Sequence, residues 1–320
     1  MKSSDTPLPT VFVAGAAHID RRARSATPFV AGASNPGSLI DVPGGAAFNA
    51  AVALHGLGWA VAFHGARGGD ADGLRIARAL AEYGFEDVSV TWLDRRTPNY
   101  TAVLDDRSEL VAGIADMALY DRLVPRIFTR VHVRKALAQA EALIVDANLP
   151  PASLSALAAA AMGRPVVAIG VSPAKVARLT EILPMLTAVF FSRAEAASLV
   201  EATATTSPLL LAELLAEIGV NRAVITDGPR EVAIIDGATV LFQPPPVVVP
   251  RDVTGAGDTL AAVALAGLWA KRPWIDCVRR GIAASSLRVA AKTFPPADMA
   301  RLIEECVDGM PAPRKQQRAF

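Results

Sequence analysis

The run Asp252-Val253-Thr254-Gly255-Ala256-Gly257-Asp258 sets two carboxylates, a hydroxyl and two glycines directly before a long apolar segment that reaches Leu268. A helix start needs one capping side chain, and Asp252 or Thr254 could supply it. Gly255 and Gly257 weaken such a start relative to alanine. What they offer instead is access. With no bulk at Gly255, Ala256 and Gly257, a phosphate could approach the free N–H groups of the first turn, where the helix dipole favours negative charge. Asp258 would then stand at the helix mouth as acceptor for the proton of an attacking hydroxyl. Phosphoryl transfer passes through a loose transition state, so such a base needs position more than strength, even where the dipole lowers its pKa. The plain structural alternative is an over-capped turn.

A second stretch, Asp41–Gly58, puts Gly44-Gly45 before another helix and Asn49 one turn inside it. Asparagine is a mediocre helix-interior residue. Its amide can both donate to and accept from sugar hydroxyls. Alone, the pair of glycines could be a simple turn and Asn49 a solvent-facing residue.

Something must position these groups. Short β-rich runs alternate with alanine-rich helical ones: Thr10–Ala17 as a buried strand, Ala46–Gly58 as a helix ending at glycine, Ala60–Gly65 as the next strand, and later the strands ALIVDA, VVAIGV, AVFFS and AVITDG. Near-continuous apolar strands separated by helices predict a parallel sheet covered on both faces, and right-handed crossovers make it doubly wound. Ligands of such sheets bind beyond the carboxyl ends of the strands. Two segments break the rhythm. Pro28–Val42 is polar and turn-rich, and Thr97–Ile114 reads as two alternating strands around an Asp-Asp-Arg-Ser turn. Both fit a small projecting sheet that could act as a lid, or a surface hairpin with no such role.

Composition narrows the classes. The chain has 320 residues, 52% hydrophobic and 20% charged, with formal net charge +1. No strong field draws it to a nucleic acid polymer or an anionic membrane. No stretch is apolar enough to span a bilayer, and the first residues lack the apolar core of a signal peptide. Cys277 and Cys306 sit in no metal-ligand or CxxC spacing, so they read as reduced thiols of a cytoplasmic protein. The basic tail Arg314–Phe320 reads as a frayed terminus.

Taken together, Gly44-Gly45-Ala46-Ala47-Phe48-Asn49 and Asp252–Asp258 resemble the paired signatures of the PfkB, or ribokinase-like, carbohydrate kinase family. The resemblance implies a ribokinase-like three-layer α/β/α sandwich with a small β-sheet lid. It implies a single domain over residues 1–320, with lid segments near 28–42 and 97–114. It also implies transfer of the ATP γ-phosphate to a sugar hydroxyl. Asp258 would be the base, with Gly255, Ala256 and Gly257 as the anion turn. Asp20, in Ala17–Asp20, would bind sugar hydroxyls with Gly44, Gly45 and Asn49, although His18 replaces the family's asparagine. Thr226, Gly228, Thr254, Gly255 and Gly257 would hold the nucleotide, and residues 283–294 resemble its adenine side. Glu231 stands where the family has a glycine. Glu195 would orient water around Mg²⁺, with Ser192 in place of an asparagine. Asp252 and Thr254 fall near the family's K⁺ loop. A homodimer through the lid follows from the same resemblance.

The acceptor is narrowed by Ser34-Asn35-Pro36-Gly37 and by Tyr100–Leu123, which resemble the pseudouridine kinases of that family. Asn35 on the lid would read the base, with Asn148 and Lys175 as further candidates on the substrate side. The expected reaction is phosphorylation of pseudouridine at its 5′-hydroxyl. The alternatives are ribokinase or another sugar or nucleoside kinase of the family, and a catalytically silent nucleoside-binding protein. A plain turn also accounts for Asn35-Pro36-Gly37.

Overall fold

Alternate residues of the strand Thr10–Ala14 divide between two cores. Phe12 and Ala14 pack with Leu143, Leu154, Leu179 and Leu215 on one side. Val11 and Val13 pack with Leu54, Ile144, Leu260 and Ile282 on the other. A strand whose successive side chains point to opposite faces can be apolar throughout only if both faces are covered. In the computed structural model, which describes residues 8–317, the result is a three-layer α/β/α sandwich. The helices Ala46–Gly56, Ala256–Trp269 and Trp274–Ala290 lie on one face; Val131–Gln139, Pro151–Ala160 and Pro208–Glu217 lie on the other.

The central sheet has ten strands. From Glu86–Asp87 through Ala60–His64, Thr10–Ala14, Ala142–Asp146, Val166–Ile169 and Ala188–Ser192 to Arg222–Thr226, all pairings are parallel. Thr10–Ala14 is the topological switch point: the chain first builds outward on one side of it and later on the other. The expectation of a wholly parallel sheet fails beyond Arg222–Thr226. Val232–Asp236, Thr239–Gln243 and Arg314–Gln317 join antiparallel. The connections explain the first two, because residues 227–231 and 237–238 are too short for a crossover helix. Asp236-Gly237 is a hairpin signal, and Gly237 takes φ +55°. Arg314–Gln317, read from sequence as part of a frayed tail, is thus the edge strand. Residues 318–320 of that tail, like residues 1–7 at the other end, lie outside the described residues.

A separate four-stranded sheet has the order Gly37–Gly44, His18–Ser25, Asn99–Leu104, Leu110–Asp116. Its last two strands flank the turn at Asp105, whose Oδ1 accepts from Arg107 N and Glu109 N. The strand His18–Ser25, one of the two central strands, was not anticipated. With three arginines in HIDRRARS it carries no apolar alternation, and pairing on both sides makes it a strand. Conversely, residues 26–36 are loop. Among the described residues no helix is long and apolar enough to cross a membrane, and Cys277 and Cys306 are free thiols.

Candidate active site

Two helix N-termini meet beyond the carboxyl ends of the central strands. The helix Ala256–Trp269 starts at Gly255 with φ +78°, a left-handed conformation. A Cβ there would also come within 2.9 Å of Asn49 Cγ, so space and backbone both require glycine. The helix Ala46–Gly56 starts at Gly45 with φ +111°. Asn49 Nδ2 donates to Asp258 Oδ2 at 2.9 Å, joining residues 209 apart in the chain. Asn49, expected on the sugar, therefore spends one amide hydrogen on the carboxylate that was expected to act as base.

The Asp258 carboxyl is pushed up to about 7, first by burial. The Asn49 hydrogen bond opposes that shift, the negative charges of Asp146 and Glu195 reinforce it, and Arg288 pulls the other way. The helix dipole that the sequence points to is therefore outweighed. A carboxylate poised near neutral pH is well matched to taking a proton from a hydroxyl.

Asp146 went unnoticed in the sequence. It ends the strand Ala142–Asp146 and is fully buried. Its Oδ2 accepts from Ala16 N at 2.8 Å and Ala47 N at 3.2 Å, and its Oδ1 from Asn148 N at 2.9 Å. One carboxylate thus ties the loop after the first strand to the start of the Ala46 helix. Burial raises its pKa against these bonds. A Cβ on Gly15 would run into it. That glycine, placed after the first strand, is a local signal for it.

On the acceptor side, Asp20 is buried on the strand His18–Ser25, and its Oδ1 lies 3.1 Å from His18 Nε2. A Cβ on Gly44 would run into the Asp20 carboxylate, and one on Gly45 into the Ala16 carbonyl. Asp20, Gly44 and Gly45 are therefore brought together, with His18 filling the place of the family's asparagine as a partner for Asp20. Asn148 is buried, and its Oδ1 accepts from Lys175 Nζ at 2.5 Å. Burial lowers the Lys175 pKa, with Asp146 opposing the shift.

Asn35 behaves otherwise than expected. Its Oδ1 accepts from Val30 N at 2.8 Å, and its Nδ2 donates to Val30 O at 2.9 Å and Ala33 O at 3.0 Å. The amide shapes its own loop and has little left for a base. The turn chemistry of asparagine accounts for it.

Beside the Gly255 turn is a cleft of about 510 Å³, lined by Thr226, Gly228, Ala256, Gly257, Ile282 and Ser286, with a wall drawn from Pro245–Pro250. Its volume and largely apolar wall suit a nucleotide base. The expected nucleotide residues Thr226, Gly228 and Gly257 all line it, as do Ser285 and Val289 from the segment assigned to the adenine side. The Pro245–Pro250 wall was missed, although its prolines cannot extend a central strand. Glu231 turns away to pair with Arg314.

Ser192 is the N-cap of the helix Arg193–Leu199, in a capping box with Glu195: Ser192 N donates to Glu195 Oε2 at 2.8 Å, and Glu195 N to Ser192 Oγ. Serine there is thus explained by the cap. Burial raises the Glu195 carboxyl, against the Ser192 bonds. Among the described residues no three His, Cys, Asp or Glu side chains are grouped to hold a metal by themselves. Such a donor set fits Mg²⁺ arriving on nucleotide phosphates, which needs only one or two protein carboxylates. Glu195, the residue expected at its water shell, has its Oε2 bonded to Ser192 N in the capping box; a bound ion would neutralise phosphate charge. Asp252, expected near a monovalent ion, has its carboxylate bonded within the protein. Its Oδ1 accepts from Thr254 N at 2.8 Å and its Oδ2 from Arg22 at 3.2 Å.

The model of the pfkB family carbohydrate kinases matches residues 9–293. The chain is 25% identical to the pseudouridine kinase of Escherichia coli K12 over 287 residues, 88% of this chain and 91% of that protein. The structure of a carbohydrate kinase from Agrobacterium tumefaciens superposes with a TM-score of 0.83 at 35% identity, covering 97% of this chain and all of that one. Ribokinase from Arabidopsis thaliana, solved with ribose and ATP, superposes with a TM-score of 0.79 at 20% identity, over 93% and 99% of the two chains; that likeness carries the fold alone.

Proposed function

The chain belongs to the pfkB family of carbohydrate kinases, and from that premise we propose that it transfers the γ-phosphoryl group of ATP to the 5′-hydroxyl of pseudouridine. The enzyme class, a phosphotransferase acting on an alcohol, follows from the family. The observation that carries the reading is the Asp258 carboxylate, raised to about 7 and held by Asn49 at the mouth of a glycine-started helix.

The chemistry assigned to each group is direct. The Gly255–Gly257 N–H groups receive the phosphate charge as it develops. Asp258 takes the hydroxyl proton as the oxygen attacks phosphorus, and the Pγ–O bond to ADP breaks. Asp20 accepts hydrogen bonds from the ribose hydroxyls, and Gly44 leaves its carboxylate unobstructed. Asp146 holds the two loops that carry these groups.

Pseudouridine over other acceptors is supported by the similarity to the E. coli enzyme. Pseudouridine and uridine share a ribose but differ in a ring N–H. A site that satisfies that N–H leaves one of its own polar groups unpaired with uridine, and such sites discriminate strongly. Turnover with ribose, adenosine, uridine and pseudouridine should show pseudouridine ahead of uridine by at least roughly tenfold in kcat/KM. Higher efficiency on ribose or adenosine would sink the acceptor and leave the kinase intact. Absence of ATP turnover with all four would favour the nucleoside-binding alternative.

The same reading includes a homodimer through the lid. Its edge strand Leu110–Asp116 is exposed along its whole length, with Leu110 and Ile114 at 59% and 70% exposure. The opposite edge exposes Leu39 and Ile40. Unpaired apolar edges invite pairing with another chain. Light scattering after size exclusion is expected to give twice the chain mass, and Ile114→Asp to shift it toward one. A monomeric wild-type protein at micromolar concentration would refute the assembly.

A further inference from the structure

The turn Asp252–Thr254 precedes the helix that is to receive the phosphates. Its side-chain oxygens are already committed to donors. Both terminal nitrogens of Arg22 lie 3.2 Å from Asp252 Oδ2, and Arg22 Nη2 also donates to Thr254 Oγ1 at 2.9 Å. Asp252 Oδ1 accepts from Thr254 N. A bare monovalent ion needs several oxygens turned toward it, and here both polar side chains of the turn face a guanidinium. Arg22 comes from the lid strand His18–Ser25, 230 residues away in sequence, and is fixed there by pairing with Ile40 and Ala102. Asp20 and Arg22 alternate by two, so both point to the same face of that strand.

We infer that Arg22 is the built-in cation of the Asp252–Thr254 turn, so that this chain handles ATP without a potassium or other monovalent ion. A guanidinium is permanently charged and offers five donors in a fixed fork, which suits this three-way contact. Arg22 and Asp252 are each about one-third exposed in their side chains. An ion pair that open contributes little to stability. Its value is therefore positional: it places a positive charge beside the Gly255 helix start and ties the lid to that start. One strand then presents Asp20 toward the acceptor and Arg22 toward the nucleotide, which makes Arg22 a positioning residue coupling the two.

The inference rests on the kinase reading but not on the acceptor, so it is tested without one. Melting temperature and ATP affinity of the wild-type protein are measured in tetramethylammonium, sodium and potassium chloride at equal ionic strength. They are expected to agree within error among the salts. Arg22→Met should bind ATP roughly tenfold or more weakly in tetramethylammonium. Potassium should restore part of that loss and raise the melting temperature of the variant specifically. Arg22→Lys, which keeps the charge, should remain insensitive to the choice of salt. A wild-type protein whose ATP affinity or melting temperature rises specifically in potassium overturns the inference, and this arm needs no variant to fold. So does an Arg22→Met protein that matches wild type in tetramethylammonium, or one weakened equally in every salt. A wrong acceptor changes none of these readings.

Discussion

Asp258→Asn is expected to lower turnover by roughly 10²–10⁴-fold, the usual cost of removing a general base. ATP affinity should be largely kept, because the Gly255–Gly257 backbone is untouched. The substitution is close to isosteric, and its amide oxygen can still accept from Asn49. Loss of turnover would therefore report the missing base and not a collapsed site. The pH dependence adds a second reading. With its carboxyl pushed up to about 7, Asp258 is protonated below neutrality, so wild-type kcat/KM should fall as pH drops below about 7. That acid limb should vanish from the residual activity of the variant.

Stability should move the other way. A carboxyl raised in the folded state binds its proton more tightly there than in the unfolded chain. The stability it contributes is present at low pH and is lost as pH rises through about 7. Asp258→Asn should consequently melt a few degrees higher than wild type at pH 8, and gain less at pH 5. Near-wild-type turnover in a folded variant would remove Asp258 from the mechanism.

Asp20→Ala is expected to raise the KM of the acceptor and leave the KM of ATP nearly unchanged. Losing a buried acceptor of hydroxyl hydrogen bonds costs about 1–3 kcal/mol, which corresponds to roughly 5- to 150-fold in KM. The change also strips His18 Nε2 of its partner 3.1 Å away, so a small loss of stability should accompany it. Gly44→Ala tests the same contact from the other side, since the added methyl would run into the Asp20 carboxylate. Equal changes in both KM values would assign Asp20 to folding or lid placement instead.

The elements with strong local signals were legible. The parallel strands Thr10–Ala14, Ala142–Asp146 and Ala188–Ser192 are apolar runs buried on both faces, and the helix Ala46–Gly56 ends near the glycine that marked it. The lid strand His18–Ser25 was not legible, because its charged residues have no apolar period and only its neighbours hold it extended. The antiparallel strands Val232–Asp236 and Thr239–Gln243 carry one local signal, the Asp236-Gly237 turn between them. Asn35 reads from sequence as a ligand reader, but its loop consumes its amide through partners two and five residues away.

By itself the sequence determined the glycine turn before the helix Ala256–Trp269. A positive φ at Gly255 and the absence of side chains are demands on a few adjacent backbone units, and such demands are met by residue type at fixed spacing. Only the tertiary structure decided what the charges around that turn would be. Asn49 reaches Asp258 across 209 residues, Asp146 reaches Ala16 across 130, and Arg22 reaches Asp252 across 230. The raised Asp258 pKa depends on burial and on carboxylates from distant strands and helices. Desolvation and Coulomb interactions act through space, so these properties exist only once the chain has folded.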